Sequence, residues 1–394
     1  MFGGSATQAA APVLAPVERR DVPLFDLKRQ QARLRLDIDR RVAAVLDHGQ
    51  FILGPEVAEL EQRIADFSGV RHCIGVSSGR DALIMALMAH GIGPGDAVFV
   101  PAFTFSATAA VVISVGATPV FVDVDPETYN MDALALDVAI ERTRARGVVR
   151  PRAVMPVDLF GLPADYAMIG AVAAAHRLDV IADAAQSFGG RSGRQAVGAL
   201  APLSCISFYP TKPLGAFGDG GAILTDDDDL AEAVRQIRTH GRQGDGDEAM
   251  RLGMTGRLDT IQAAVLLAKL AVFRAELRRR QAVAVRYDAA IAPSAKVPVR
   301  RAGDQSAWAL YTIRVPQRDR VRAALAEAGI GTGLFYRVPL HRHPAFVNVL
   351  TGAEDLPVSE MLSRQVLSLP IGPDITDDEA DAVIAAVLDA LHLQ

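Results

Sequence analysis

SFYPTKPLGAFGDGGA, residues 207–222, places a lysine in a glycine-rich turn between two short apolar runs, SCISF (204–208) and AILT (222–225). The same kind of run recurs upstream: HCIGV (72–76), AVFVP (97–101), PVFVDV (119–124), AVMPV (153–157) and DVIAD (179–183). Helical patterns such as 81–90, 106–116 and 166–176 lie between them. Runs apolar on consecutive positions, alternating with helices, predict an α/β fold with a largely parallel sheet covered on both faces. Ligands of such sheets bind beyond the carboxyl ends of strands, and that is where Lys212 stands.

Further out, 28–47 and 55–67 have helical periodicity and are separated by the Gly/Pro-punctuated GQFILGPE. After the lysine turn, 228–239 and 257–289 read as helices, the second long enough to connect two domains. The segment from about 290 to 394 has a strand-like run, LYTIRV (310–315), a helix (318–328) and a terminal helix (376–392), which suits a smaller α+β domain. The expected division is a flexible arm at 1–21, a large domain at 22–270 and a small one at 271–394. No repeat of 20 to 50 residues is visible.

Of the 394 residues 41 are Lys or Arg, only four of them lysines, against 46 Asp plus Glu. The net charge of −5 excludes a strongly basic binder of nucleic acid or anionic membrane as the default reading. Hydrophobic residues make up 50%, ample for large cores. Cys73 and Cys205 sit in apolar runs and read as core residues of a reducing compartment. The opening MFGGSATQAAAPVLAPVERR lacks a positive n-region and is broken by Pro12 and Pro16, so it reads as an arm and not a signal peptide. No run reaches about 18 apolar residues, so no membrane helix is expected and cytoplasmic residence is the default.

Four features carry chemistry. Lys212, in a turn with little to solvate it, can have a lowered amine pKa and form a Schiff base; the plain alternative is a loop lysine. Asp183 ends a buried run and needs a partner, which a pyridinium nitrogen would be, unless it merely caps the next turn. Ser77-Ser78-Gly79-Arg80 leads from a strand into a helix and offers backbone N–H groups to an anion, or is a simple Ser cap. Phe103 and Phe105, in PAFTFSAT (101–108), are candidates to lie against a flat heteroaromatic ring or to fill the core.

In order, GPEVAELE, SSGRDAL, PAFTFSAT, PVFVDVD, DAAQSFGG, SFYPTKPLGAFGDGGA and GRLDTIQAA resemble the DegT/StrS family of pyridoxal-phosphate-dependent nucleotide-sugar aminotransferases over roughly residues 22–385. The resemblance implies the aspartate-aminotransferase-like architecture called fold type I. It implies that Lys212 carries the cofactor, that Asp183 partners its ring nitrogen, that Gln186 lies near its ring oxygen and that Phe105 stacks on it. Ser207 and the backbone of Ser78, Gly79 and Arg80 would bind its phosphate. GMTGRLD (253–259), with Thr255, would reach the cofactor of a neighbouring subunit, making a homodimer with shared active sites. Three departures stand out: the family usually has Thr at Arg80, Asn at Thr255 and His at Asp158. The shorter Thr255 offers one hydroxyl, and Arg80 could add a cationic contact to the phosphate.

The implied reaction takes an amino group from a donor, L-glutamate by resemblance, leaves pyridoxamine phosphate, and passes the group to a nucleotide-linked keto sugar. GRLDTIQAAVLLAKL, YRVPLHRHPAF and VLSLPIGPDI are similar to family members that aminate C3 of a UDP-linked 3-keto-glucuronic acid derivative for surface polysaccharides. The alternative is C4 of a 4-keto-6-deoxy sugar linked to dTDP, UDP or GDP. A sugar dehydratase of the same fold has His at the lysine position, so Lys212 argues against it. A nicotinamide dehydrogenase lacks support, because no G-x-G-x-x-G occurs. Retention of Asp183, Ser207 and Lys212 argues against a catalytically silent regulator. His341 and His343 read as a substrate-entry loop, with no metal expected, and Asp226 to Asp229 as a helix start; Tyr336 and Arg337 are candidates to approach the substrate, which the sequence does not place.

Overall fold

The computed structural model describes residues 21–244, 246–347 and 355–392; the expected arm lies outside these, Asp21 excepted. The helices are α1 (Leu27–His48), α2 (Pro55–Ser68), α3 (Gly79–Ala89), α4 (Ala107–Ser114), α5 (Ala133–Arg146), α6 (Tyr166–His176), α7 (Asp228–Ile237), α8 (Thr260–Ile291), α9 (Arg318–Glu327), α10 (Pro357–Gln365) and α11 (Asp377–His392). The strands are β1 (His72–Val76), β2 (Asp96–Pro101), β3 (Thr118–Val122), β4 (Arg150–Val154), β5 (Asp179–Asp183), β6 (Arg191–Ser192), β7 (Gln195–Ala196), β8 (Leu203–Ser207), β9 (Gly221–Thr225), β10 (Asp304–Gln305), β11 (Tyr311–Arg314) and β12 (Val366–Leu369).

Seven strands form the main sheet in the order β1-β9-β8-β5-β4-β2-β3. β2, β3, β4, β5 and β8 pair in parallel, while β9 runs antiparallel to both β1 and β8. β1 therefore runs the same way as β8. The ends at Val76, Pro101, Asp183 and Ser207 all lie along one edge of the sheet. β2 and β9 are buried at every position, which is why their sequences show no alternation. The expected mostly parallel sheet holds, with β9 as its one reversed member.

Helix termini follow local rules. Ser78 caps α3 by accepting the Asp81 N–H at 3.0 Å, and Asp227 caps α7 by accepting that of Leu230 at 2.9 Å. The acidic run is a helix start as expected, with Asp228 and Asp229 in the first turn of α7. α11 opens with a reciprocal capping box: Thr376 N–H donates to Glu379 at 2.9 Å, and Glu379 N–H to the Thr376 hydroxyl at 3.2 Å.

β11 and β12 make a second, antiparallel sheet whose core gathers Tyr287, Trp308, Tyr311, Leu369 and Val383. We propose a domain division near residue 270, inside α8. Ala263, Leu266 and Phe273 of that helix pack with the large sheet's core, and Val283, Tyr287 and Ile291 with the smaller one. Val22 joins the smaller core through a bridge to Ile330. Among the described residues no helix is long and apolar enough to cross a membrane.

Candidate active site

Asp183 ends β5 and is only 5% exposed. One carboxylate oxygen accepts the Thr108 hydroxyl at 2.8 Å, and the other accepts the Ala185 N–H at 3.3 Å. Burial raises its pKa, opposed by these donors and by the cation of Lys212. A buried carboxylate this sparsely paired suits a cationic nitrogen arriving from outside the chain.

Lys212 lies on the turn after β8, where its N–H bonds the Tyr209 carbonyl at 2.8 Å. The turn is closed by Ala216 N–H to Phe208 O at 2.7 Å, and a Cβ at Gly215 would sit 2.4 Å from the Pro210 oxygen. Burial lowers the Lys212 amine pKa, with Asp183 pulling the other way. An amine so placed is a base and nucleophile closer to neutral pH than a solvated lysine, a property no guanidinium offers.

Three strands meet beside it. Gly221 pairs with Val76 on one side and Ser207 on the other. A Cβ on Gly221 would lie 2.6 Å from the Ser78 carbonyl carbon, and one on Gly79 would lie 2.6 Å from the Ser207 Cβ. Only glycine at both positions lets the start of α3 approach the end of β8. The first i→i−4 bond of α3 is Ala82 N–H to Ser78 O at 2.9 Å, so the Gly79 and Arg80 N–H groups precede the helical ladder. With the Ser207 hydroxyl they form a cradle of donors of the kind that can hold an anion.

The Arg80 guanidinium does not enlarge that cradle: it donates to the Ser114 hydroxyl at 3.0 Å and draws α4 toward α3. Phe105 is 57% exposed with its ring 6.2 Å from that of Tyr336, whereas Phe103 is fully buried. The exposed ring, and not the core one, is available to a planar ligand. Gln186 is fixed at both ends, accepting the Phe160 N–H at 2.8 Å and donating to the Tyr336 hydroxyl at 3.3 Å. Thr255 lies 3.4 Å from the His240 ring, and the neighbouring Gly256 carbonyl accepts the Ser77 N–H at 3.0 Å. Of the sequence-derived set, Ser78, Gly79, Ser207, Lys212, Asp183 and the backbone of Arg80 line one sheet edge; Gln186 and Phe105 join it through Tyr336.

Two contributors were not legible. Thr108 was one of several polar residues in PAFTFSAT, and only the fold shows it facing Asp183. Lys269 reads as a helix position where Arg would serve equally, but it is 3% exposed. Its amine donates to the Gly215 carbonyl at 2.7 Å and lies 4.6 Å from the centre of the Phe217 ring. Burial pushes its pKa down to about 8. His341 meets Glu360 at 3.1 Å and His343 the Val338 carbonyl at 3.1 Å.

This constellation belongs to a known class. Residues 33–388 match the DegT/DnrJ/EryC1/StrS aminotransferase family, and the chain is a member of it. It is 45% identical over 368 residues, 93% of this chain and 99% of the other, to the UDP-2-acetamido-2-deoxy-3-oxo-D-glucuronate aminotransferase of Pseudomonas aeruginosa. A crystal structure of a family aminotransferase from Brucella abortus superposes with a TM-score of 0.91 at 45% identity, covering 93% of this chain and 98% of that one. NtdA from Bacillus subtilis, solved with bound cofactor PMP, superposes with a TM-score of 0.87 at 28% identity over 96% of this chain and 86% of that one.

Proposed function

We propose that this chain is a pyridoxal-phosphate-dependent aminotransferase that converts a nucleotide-linked keto sugar to an amino sugar, acting at C3 of a UDP-linked 3-keto uronic acid. The observation that carries the chemistry is the meeting of Lys212, Asp183 and the Gly79–Ser207–Gly221 cradle on one sheet edge. These residues fit the cofactor at three points: an amine of lowered pKa, a buried carboxylate without a full complement of partners, and a cradle that a single Cβ would fill. The 45% identity to the P. aeruginosa enzyme over 93% of this chain supports the choice of sugar.

Bound pyridoxal phosphate supplies an electron sink for charge developing at the substrate carbon. The chain does the rest. Asp183 would hold a proton on the ring nitrogen, Thr108 and the Ala185 N–H keep its carboxylate in line, and Ser207 and the start of α3 would hold the phosphate. Phe105, exposed beside Tyr336, would cover one face of the ring. Lys212 would anchor the cofactor through its amine of lowered pKa, and its Nζ is the group placed to hold or move a proton at the substrate carbon. L-Glutamate is the proposed amino donor.

We further propose a homodimer with shared sites, in the cytoplasm. Phe51, Ile52, Leu53, Phe105, Tyr209 and Phe217 are large apolar side chains left exposed in the single chain, Phe105 itself a site residue and Tyr209 and Phe217 on the Lys212 turn. Buried thiols at Cys73 and Cys205 suit a reducing compartment. A mass-resolved screen of UDP-3-keto-uronic acid against dTDP-, UDP- and GDP-4-keto-6-deoxy sugars tests the substrate. Amination of the first alone supports the proposal, and amination of only a 4-keto sugar overturns it.

A further inference from the structure

Asp158 is a second buried carboxylate beside the site, and the chemistry above gives it no task. It stands where the family usually has His and is only 1% exposed. One oxygen accepts the Ala164 N–H at 2.8 Å and the Tyr166 hydroxyl at 2.7 Å; the other accepts the Ser187 hydroxyl at 2.6 Å. Its own N–H donates to the Asp183 carbonyl at 3.0 Å, and Asp183 N–H donates to Pro156 O at 2.9 Å. Asp158 therefore grips both ends of the turn 183–187, the segment that carries Asp183 and Gln186.

The titratable groups around it are Tyr166 of α6 and Asp183 of β5, and Cys205 of β8 acts on that same Tyr166. No cation is among the groups that shift Asp158. Burial pushes its carboxyl up to about 6, against the pull of its three donors. It thus changes charge in mildly acidic solution.

We propose that Asp158 is a positioning residue that also sets charge: it fixes the Asp183–Gln186 turn, and its negative charge behind Asp183 raises the proton affinity of the cofactor nitrogens that Asp183 and Lys212 face. This rests on the cofactor reading above. In a low-dielectric setting a second anion favours every cationic form nearby, so the two carboxylates act together on one proton.

The test is a spectrophotometric pH titration of the cofactor bound to wild-type protein, Asp158→Asn and Ser187→Ala, with kcat/KM profiles alongside. Asp158→Asn removes charge while keeping the pairs. Its amide oxygen still accepts from Ala164 and Tyr166, and its NH2 donates to Ser187, whose hydroxyl turns to the Ala184 carbonyl at 3.4 Å. The bound cofactor's titration midpoint falls by about one unit in this variant, the scale of a unit charge across partly buried protein. The wild-type acid limb of kcat/KM near 6 disappears. Ser187→Ala removes a donor that favours the ionised carboxylate, so it moves that limb to higher pH.

An Asp158→Asn protein that holds cofactor yet titrates as wild type overturns the proposal, because a merely structural role changes affinity or stability and not the midpoint. Should that variant fail to hold cofactor, an acid limb unmoved in Ser187→Ala overturns it instead. Wild-type protein that takes up no pyridoxal phosphate refutes the underlying reading and is thereby distinguished.

Discussion

Replacing Gly221 by alanine places a Cβ 2.6 Å from the Ser78 carbonyl carbon and 2.7 Å from the Gly79 nitrogen. Ordinary contact begins near 3.4 Å, so backbone must move by about 0.8 Å. Gly221 is paired in register with Val76 on one side and Ser207 on the other, leaving it no free direction. Overpacking of this kind costs about 1–3 kcal/mol. The displaced atoms are the opening of α3, so the phosphate cradle is spoiled as well. Urea unfolding should show that loss of stability, and titration with pyridoxal phosphate a weaker affinity. Gly170, in α6 with nothing within 4 Å of a built Cβ, is the control; Gly170→Ala should gain up to about 1 kcal/mol and bind cofactor normally. A Gly221→Ala protein with wild-type midpoint and affinity would falsify the close-approach argument.

Thr108→Val removes the 2.8 Å donor to Asp183 and should weaken cofactor binding by roughly ten- to a hundredfold, since a buried charged acceptor loses about 1.5–3 kcal/mol; unchanged affinity in a fluorescence titration speaks against it. Lys269 has its pKa depressed from 10.5 to about 8, so the unfolded chain keeps its proton longer as pH rises between those values. Wild-type stability should therefore climb across that window by up to about 3 kcal/mol relative to Lys269→Met, and parallel pH profiles of the two would contradict this. Glu379 is held at about 2 by Arg29, below its usual 4.5, which contributes stability above 4.5 that is lost as pH falls toward 2. Glu379→Gln should flatten the acid side of the unfolding profile, and an unchanged slope there removes the assignment.

The sheet was legible because its signal is local. Strands buried on both faces read as consecutive apolar residues, and HCIGV and DVIAD coincide with β1 and β5. The reversal of β9 was not legible, since AILT carries no mark of its direction; the pairing of Gly221 with both Val76 and Ser207 decides it. α5 and β12 carry little local signal: ALALDVAIERTRAR has weak amphipathy, and VLSL follows α10 with no turn signal between them. At the site, Lys212 and Asp183 announced themselves by residue type at strand ends. Thr108, Lys269 and the grip of Asp158 on Ser187 depend on contacts between residues 29 to 75 positions apart, which spacing along one chain cannot encode. The guanidinium of Arg80 is a further case, since its partner Ser114 lies on the next helix.

The central claim is that Lys212 covalently holds pyridoxal phosphate opposite Asp183. Purified wild-type protein should show a visible absorbance band after incubation with the cofactor, and the band should bleach when L-glutamate is added. Lys212→Ala should fold with the same unfolding midpoint and lack the band. A colourless wild-type protein, or a Lys212→Ala protein with the wild-type band, would contradict the account.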